Sequence, residues 1–238
     1  MNLVALDIGN GSIKWGRFEE GRRVDGGRLA LDEDPPAWTA DETLVAVSVN
    51  PTVEGRWKTA RPGLRRLGAE IPLPLPVRYR PPADCGNDRV AAAAGALFRA
   101  PEASSVLVLD AGTCLVATAA TRERGVLGGA ILPGRDLMAR ALADGTAALP
   151  LVVPAEPKEP IGSSTAESIR VGIDAAIVGA TRELVRRLSV VAGSPALVVA
   201  TGTGGGALAA RVAEIRAYHP FLTLWGVYAA AREFDRSK

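Results

Sequence analysis

Two copies of one short pattern constrain the fold of this chain more than any other feature. The segment Val106–Thr118 reads VLVLDAGTCLVAT, a branched apolar run followed by Asp110, a glycine turn and a second apolar run. The same order recurs near the N-terminus, where LVALDIGNGSIK spans Leu3–Lys14 and carries Asp7. Each copy predicts two strands joined by a tight turn, with an acid at the end of the first strand. Repetition at the heads of two halves predicts a duplicated domain that closes on a phosphate-bearing ligand.

The glycine of the central turn carries the chemical prediction. Glycine lets the backbone turn tightly, so we expect Gly112 to present its N–H outward. Oriented backbone amides form an anion site, and the carboxylate of Asp110 could hold a cation beside that anion. A single Asp-x-Gly turn occurs in many hairpins, so the argument depends on the repetition.

A third glycine-rich turn follows a predicted strand near the C-terminal end. The strand is expected at Ala196–Ala200, the turn reads TGTGGG at Thr201–Gly206, and a helix is expected from Ala207. A strand, a glycine turn and a helix N-terminus together form a geometry suited to a nucleotide. The turn matches neither the P-loop pattern nor a clean G-x-G-x-x-G, and a flexible turn is the alternative.

A polar loop in the first half leads directly into a helix. The segment from Tyr79 to Arg89 is followed by an alanine-rich run, Val90–Phe98, which predicts a helix. Asp88 lies at its start, where an acid can cap the helix and meet its positive end. Asp88 is therefore either an N-cap or a functional carboxylate, and Arg89 would ordinarily be a surface residue.

Bulk composition excludes several classes of protein. The 238 residues carry 28 basic and 26 acidic side chains, a net charge of +2, which does not favour nucleic acid or an anionic membrane as a partner. No apolar run reaches the roughly 20 residues that span a bilayer, and the N-terminus lacks a signal-peptide pattern. Cys85 and Cys114 could form a disulfide, but a reduced pair in the cytoplasm is favoured. With His219 as the single histidine, a histidine-based catalytic dyad is not expected.

The remaining pattern predicts alternating strands and helices. Asn50-Pro51 ends a strand at Leu44–Val49, Gly26-Gly27 marks a turn, and a long helix begins at Ser163–Thr165 and runs to about Arg187. Small residues on that long helix suit close helix packing, within one chain or between subunits. Other predicted elements are a weak helix at Arg56–Leu67, a strand at Gly125–Gly134, a helix at Arg135–Ala143, a loop at Asp144–Pro160, and Leu222–Tyr228 followed by a terminal helix.

Three glycine-rich turns after strands, the first two with acids, resemble the layout of the actin, hexokinase and Hsp70 superfamily. Within it, the chain resembles the type III pantothenate kinases over nearly its whole length. The matching segments are DIGN at Asp7–Asn10, the stretch from Tyr79 to GNDR at Gly86–Arg89, DAGT at Asp110–Thr113, GGAILPG at Gly128–Gly134, TAALP at Thr146–Pro150, GSSTAESIRVG at Gly162–Gly172, and the turn at Thr201–Gly206.

The resemblance implies an α/β fold of two duplicated ribonuclease-H-like halves, expected at residues 1–104 and 105–238. It implies ATP-dependent phosphorylation of pantothenate, the first step of coenzyme A synthesis, by a cytoplasmic homodimer. ATP, Mg²⁺ and a monovalent cation, K⁺ or NH₄⁺, are the implied cofactors.

The resemblance also implies a role for each matched residue. Asp88 would accept the proton, and Asp110 would hold the monovalent cation. Pantothenate would be bound by Tyr79, Gly86, Asn87, Asp88, Arg89 and Thr165. ATP would be bound by Asp7, Ile8, Gly9, Asn10, Gly11, Ser12, Ile13, Lys14, Thr113, Gly202, Gly204 and Gly205, with Gly204 or Gly205 too close to the nucleotide to carry a side chain.

Departures from the family pattern leave alternatives open. Gly11 stands where the family usually has Thr, and Thr118 stands where it has an Asp near the cation site. A regulatory protein related to transcription accessory factors, or a kinase for another small alcohol, would share the same fold.

Overall fold

A computed structural model describes residues 2–36, 38, 39, 42–193 and 195–237, and its architecture is α/β. The strands are β1 (Leu3–Ile8), β2 (Ile13–Glu19), β3 (Arg22–Leu29), β4 (Thr43–Ser48), β5 (Arg65–Arg66), β6 (Ser105–Ala111), β7 (Cys114–Thr121), β8 (Gly125–Pro133), β9 (Leu197–Thr201) and β10 (Ala217–Tyr218). The helices are α1 (Pro51–Ala60), α2 (Asn87–Arg99), α3 (Arg135–Asp144), α4 (Thr165–Ala192), α5 (Gly205–Ala209) and α6 (Leu222–Arg236).

The ten strands form two five-stranded sheets of matching topology. One sheet has the order β3-β2-β1-β4-β5, and the other has the order β8-β7-β6-β9-β10. In each sheet, three strands that are consecutive in sequence are followed by two that come later in the chain. Asp7 and Asp110 are each the second-last residue of the first strand of their sheet. The predicted duplication is therefore visible in the strand order.

Alternating side chains of β1 pack on opposite faces of the first sheet. Leu3 and Ala5 pack in a cluster with residues of α6, whereas Val4, Leu6 and Ile8 pack with residues of α1. All six residues of β1 are buried, as expected for a central strand that pairs antiparallel with β2 and parallel with β4.

The chain divides into two compact units that are discontinuous in sequence. The first contains Met1–Val106, Ala120–Gly128 and Phe221–Lys238, and the second contains Leu107–Ala119 and Gly129–Pro220. These units differ from the segments 1–104 and 105–238, because α6 packs against β1 and α2 of the first unit. Gly95 and Gly226 permit that approach, since a side chain on either would collide with the backbone of the other helix.

Helix α4 begins as the sequence predicts, in the second unit. The hydroxyl oxygen of Ser164 accepts a hydrogen bond from the N–H of Glu167, a standard N-cap. Ile177, Val178 and Val185 of this helix pack on Leu107 and Leu109 of the second sheet.

Local predictions were wrong in three places. Asn50 caps α1 through its side chain and Pro51 occupies the first turn, so the helix ends at Ala60 and does not cover Arg56–Leu67. Gly26-Gly27 lie inside β3 rather than in a turn, because β2 supplies their pairing partners. Leu222–Tyr228 belongs to the single terminal helix α6.

Candidate active site

The first glycine turn brings an ion pair to the end of β1. Asp7 and Lys14 are opposite one another in the β1–β2 register, and the Lys14 Nζ lies 3.1 Å from the Asp7 Oδ2. Asp7 is only 6% exposed, so Lys14 compensates a nearly buried negative charge.

Residues of this turn differ in what they offer a ligand. The N–H of Gly9 donates to the carbonyl of Ser12 at 3.2 Å, which closes the turn. Ile8 and Ile13 have completely buried side chains, so only their backbones could face a ligand. Asn10 and Gly11 are exposed and Ser12 is half-buried, which leaves their polar groups accessible.

The polar loop places Asp88 in the first turn of α2, but not at its cap. Gly86 is the N-cap residue and makes no side-chain capping bond, so the N-cap interpretation of Asp88 is wrong. The Oδ1 of Asp88 instead accepts the N–H of Arg89 at 2.9 Å. A Cβ on Gly86 would collide with that same oxygen, so glycine is needed for this orientation of the carboxylate.

The surroundings of Asp88 favour its protonated form. Burial raises the pKa of Asp88, and the neighbouring carboxylate of Asp7 raises that pKa further, while the hydrogen bond and charge of Arg89 oppose both effects. A carboxylate in such a setting has a stronger affinity for a proton than an exposed one. Asp88 is therefore suited to receive a proton from a bound hydroxyl group.

Side chains next to Asp88 have distinct roles. The Asn87 amide donates to the Leu67 carbonyl at 3.1 Å, so the side chain of Asn87 ties the start of α2 to the residue that follows β5. Arg89 is 8% exposed, and its guanidinium carbon lies 5.1 Å from the centre of the Tyr79 ring. A cation held under an aromatic face is a candidate partner for a substrate carboxylate.

The central turn lies in the second unit, and its geometry corrects one prediction. The N–H of Gly112 donates to the Cys114 carbonyl at 2.9 Å, so it closes the hairpin and is not presented to an anion. Thr113 is exposed, and its carbonyl accepts the N–H of Gly134 at 2.9 Å. The turn is predicted correctly, but the prediction that the Gly112 N–H faces an anion is wrong.

The third glycine turn lies against the central turn within the second unit. The Gly204 N–H donates to the Ala111 carbonyl at 2.8 Å. Gly202 has φ +80°, and a Cβ there would collide with the Asp110 carboxylate, so this position requires glycine for two reasons.

Close packing of the Tyr218 ring against Gly205 leaves little room for a side chain at this position. A Cβ on Gly205 would lie 2.9 Å from the Tyr218 ring, and the Tyr218 hydroxyl donates to the Gly202 carbonyl at 3.1 Å. A bulky residue at Gly205 would therefore disturb this contact whether or not a nucleotide is bound.

Thr165 is exposed at the start of α4 and contributes to a cavity of about 650 Å³ in the second unit. Its lining is largely apolar and includes Met138 and Leu142 of α3 and Ile169 and Ile173 of α4.

Sequence reasoning missed an ion cluster in the second unit. Asp174 of α4 is 4% exposed and accepts hydrogen bonds from Arg135 at 2.8 Å and from both terminal nitrogens of Arg211 at 2.5 and 2.6 Å. The hydrogen bonds from Arg211 lower the pKa of Asp174 most, and the hydrogen bond from Arg135 lowers it further. The available signal was an isolated acid among the apolar and small residues of α4.

Further observations concern metals, membranes and thiols. Within the described ranges, no group of three or more His, Cys, Asp or Glu side chains is placed to bind a metal ion. Among the helices that the structure describes, none has the length and apolar character needed to cross a bilayer. Cys85 and Cys114 are free cysteines, and burial raises the pKa of the Cys85 thiol.

The two sheets of matching strand order, with an acid near the end of each first strand, form an α/β fold that is similar to solved structures described as a putative 2-dehydro-3-deoxygalactonokinase from Sinorhizobium meliloti and a putative N-acetylmannosamine kinase from Listeria monocytogenes. The type III pantothenate kinase profile matches residues 3–187. The chain belongs to the type III pantothenate kinase family.

Individual relatives agree with this assignment. A type III pantothenate kinase from Dehalococcoides mccartyi strain CBDB1 is 31% identical over 251 residues, covering 94% of this chain and 93% of the relative. One from Legionella pneumophila strain Corby is 38% identical over 138 residues, covering 57% of this chain. That match spans only about half, 54%, of the Legionella protein's length.

Solved structures agree at the level of the fold. A Campylobacter jejuni protein described as a Baf family transcriptional activator superposes with a TM-score of 0.66, covering 98% of this chain and 99% of its own. Its sequence identity is 16%, so this likeness bears on the fold alone.

Proposed function

We propose that this protein transfers the γ-phosphoryl group of ATP to the primary hydroxyl of pantothenate, giving 4′-phosphopantothenate and ADP in the first step of coenzyme A synthesis. The observation that carries the proposal is the half-buried carboxylate of Asp88, whose pKa is raised by burial and by the nearby Asp7 of the Asp7–Lys14 ion pair, in a chain that belongs to the type III pantothenate kinase family.

In this reaction Asp88 accepts the proton of the attacking hydroxyl. The hydroxyl oxygen forms a bond to the γ-phosphorus as the bond from that phosphorus to the bridging oxygen breaks, and ADP leaves. Phosphoryl transfer requires the protein mainly to position the groups and to neutralise charge. The raised pKa of Asp88 supports this role, because a stronger base takes the proton more readily.

Lys14 is the proposed cation for the phosphates in the first unit. Its ammonium is a compact positive charge that lies 3.1 Å from the Asp7 carboxylate. Asp7 keeps that ammonium at the end of β1, where the exposed turn residues Asn10 and Gly11 also lie. Mg²⁺ bound to ATP would supply further charge neutralisation.

Arg89 is the proposed partner of the pantothenate carboxylate. Its planar guanidinium suits two parallel hydrogen bonds to a carboxylate, and the Tyr79 ring lies beside that group. Asn87 anchors the start of α2 through its side-chain amide, and Gly86 leaves room for the Asp88 carboxylate.

Asp110 is the proposed site of a monovalent cation. Its carboxylate and the Ala111 carbonyl both lie beside Gly202, and oxygen donors of this kind suit a hard cation. When bound, K⁺ or NH₄⁺ would supply positive charge next to the phosphates. Thr118, buried in β7, stands where the family has an acid.

A homodimer in the cytoplasm is the proposed assembly and location. The segment between α3 and α4 exposes Leu151, Val153 and Ile161, at 67%, 79% and 76%, and Leu149 of the same segment lines the apolar cavity of α3 and α4. Exposed apolar surface of this kind marks an interface, and a second copy is the proposed occupant. Free thiols on both cysteines favour a reducing compartment.

The deciding experiment assays purified protein with ATP, Mg²⁺, K⁺ and pantothenate for ADP and 4′-phosphopantothenate. We expect stoichiometric formation of both products. ATP turnover that is independent of pantothenate, or no turnover in protein shown to be folded, would refute the proposal. Light scattering in the same buffer measures the oligomeric state, and a monomer would contradict the proposed dimer.

A further inference from the structure

One small cavity of the second unit is lined by the central turn, by the third glycine turn and by the start of α3. Its volume is about 110 Å³, and its lining includes Gly112, Gly134, Arg135, Thr203 and Gly204. This volume is well below the several hundred Å³ of a pocket that encloses a whole drug-sized ligand. The cavity therefore suits a fragment of a ligand, such as a phosphate group.

The backbone amides at this cavity are already used within the protein. The N–H groups of Gly112, Gly134 and Gly204 donate to the carbonyls of Cys114, Thr113 and Ala111 respectively. A backbone amide with a good internal partner contributes little to an anion. An anion in this cavity must obtain its hydrogen bonds from other donors, and among the lining side chains the cationic donor is Arg135.

Backbone packing and a buried acid fix the position of Arg135. It is the first residue of α3, directly after Gly134, whose backbone is pressed against the central turn so closely that a Cβ would collide with the Gly112 and Thr113 carbonyls. Its guanidinium donates one hydrogen bond, to the Oδ1 of Asp174.

Asp174 orients Arg135 without using up its donors. The fork of Arg211 already occupies both oxygens of Asp174, so this buried carboxylate has its charge compensated without Arg135. Among the described residues, Asp174 is the single hydrogen-bond partner of the Arg135 side chain, which has five N–H donors and is 25% exposed. Asp136, the acid on the cavity wall, is exposed and therefore well solvated.

We propose that Arg135 binds a phosphate group of the nucleoside triphosphate, and that Asp174 is a positioning residue that holds the Arg135 guanidinium at the cavity. This inference rests on the proposed function for the identity of the ligand. It adds a phosphate-binding residue that neither the glycine turns nor the matched motifs supply.

The test is direct equilibrium binding of ATP, ADP and adenosine by calorimetry, in the absence of pantothenate. In Arg135→Met, ATP and ADP should bind about 10- to 100-fold more weakly, the value of one charge-assisted hydrogen bond, while the affinity for adenosine is unchanged. Arg211→Met is the matched control, because it removes the other guanidinium from Asp174 and Arg211 does not line the cavity. It should retain the wild-type affinity for ATP.

Three results would overturn the inference: unchanged ATP affinity in Arg135→Met, an equal loss of adenosine affinity, or an equal loss of ATP affinity in Arg211→Met. If Arg135→Met does not fold, Arg135→Lys replaces it. The compact lysine ammonium can pair with Asp174 but has no planar fork to bridge a carboxylate and a phosphate, so ATP affinity should again fall selectively. Wild-type protein that binds ATP but does not phosphorylate pantothenate would refute the proposed function and leave this inference standing.

Discussion

Replacing Asp88 with asparagine separates its chemistry from its structural role. The Asp88 Oδ1 accepts the Arg89 N–H at 2.9 Å, and an asparagine carbonyl can accept the same bond. Gly86, not Asp88, caps the helix, so the substitution leaves the cap unchanged. What Asp88→Asn removes is the negative charge and the capacity to take a proton.

If Asp88 is the general base, kcat should fall by about 10²- to 10⁴-fold, the usual contribution of such a group. The KM values for ATP and pantothenate should change far less, since the lost interaction belongs to the transition state. In the wild-type enzyme, kcat/KM should fall as the pH is lowered through the raised pKa of Asp88, because the protonated carboxyl cannot act as a base.

The same substitution should stabilise the protein. Because the pKa of Asp88 is raised in the folded state, the ionised carboxylate costs stability above the ordinary carboxyl pKa of about 4. Asp88→Asn should therefore unfold at a higher temperature than wild type at neutral pH. That difference should shrink as the pH is lowered and Asp88 becomes protonated in both states.

Asp84→Asn is the matched control, since Asp84 lies in the same loop and is exposed. It should change neither turnover nor stability appreciably. Steady-state kinetics and thermal unfolding across pH measure both quantities. Wild-type kcat in a folded Asp88→Asn variant would refute the catalytic assignment, and a lower melting temperature at neutral pH would refute the electrostatic argument.

Three further predictions follow from other sites. Wild-type turnover should require K⁺ or NH₄⁺, and Asp110→Asn should lose that requirement with most of the turnover; full activity in sodium-only buffer would contradict the cation site. Gly202→Ala should lower the free energy of unfolding by more than about 1 kcal/mol, because φ at this position is +80° and the new Cβ would meet the Asp110 carboxylate. The control is Gly55→Ala, in open space on α1, which should raise the free energy of unfolding by about 0.5–1 kcal/mol. Denaturant titrations measure both changes. Hydrogen bonds from the Arg66 N–H and the Lys58 ammonium lower the pKa of Glu70 to about 2. Glu70→Gln should therefore be less stable than wild type at pH 6, and this difference in stability should vanish as the pH approaches 2. A difference in stability that does not change with pH would contradict this reasoning.

Local sequence alone determined the elements that carry the predicted chemistry. The runs around Asp7 and Asp110 specify strand, turn and strand because branched apolar residues, an acid and glycine each favour one local conformation. Ser164 marked the start of α4 for the same reason, since a hydroxyl before a helical run accepts the first free N–H. The repetition of one pattern was enough to predict a duplicated fold, and the matching strand orders confirm it.

Tertiary structure decided how polar groups are paired and where the compact units end. The use of the Gly112 N–H, the role of the Asn87 amide and the packing of Gly205 on Tyr218 depend on partners that lie elsewhere in the chain. Helix α6 joins the first unit because its apolar face packs on α2 and β1, which are far from it in sequence.

The ion cluster around Asp174 shows the same limit most clearly. Arg135 and Arg211 lie 39 and 37 residues from Asp174 along the chain, and only the packing of α3, α4 and the segment after α5 brings them to one carboxylate. A sequence pattern reports what each residue favours over a few neighbours. Burial and the pairing of charges depend on distances in space, so the folded chain alone determines them.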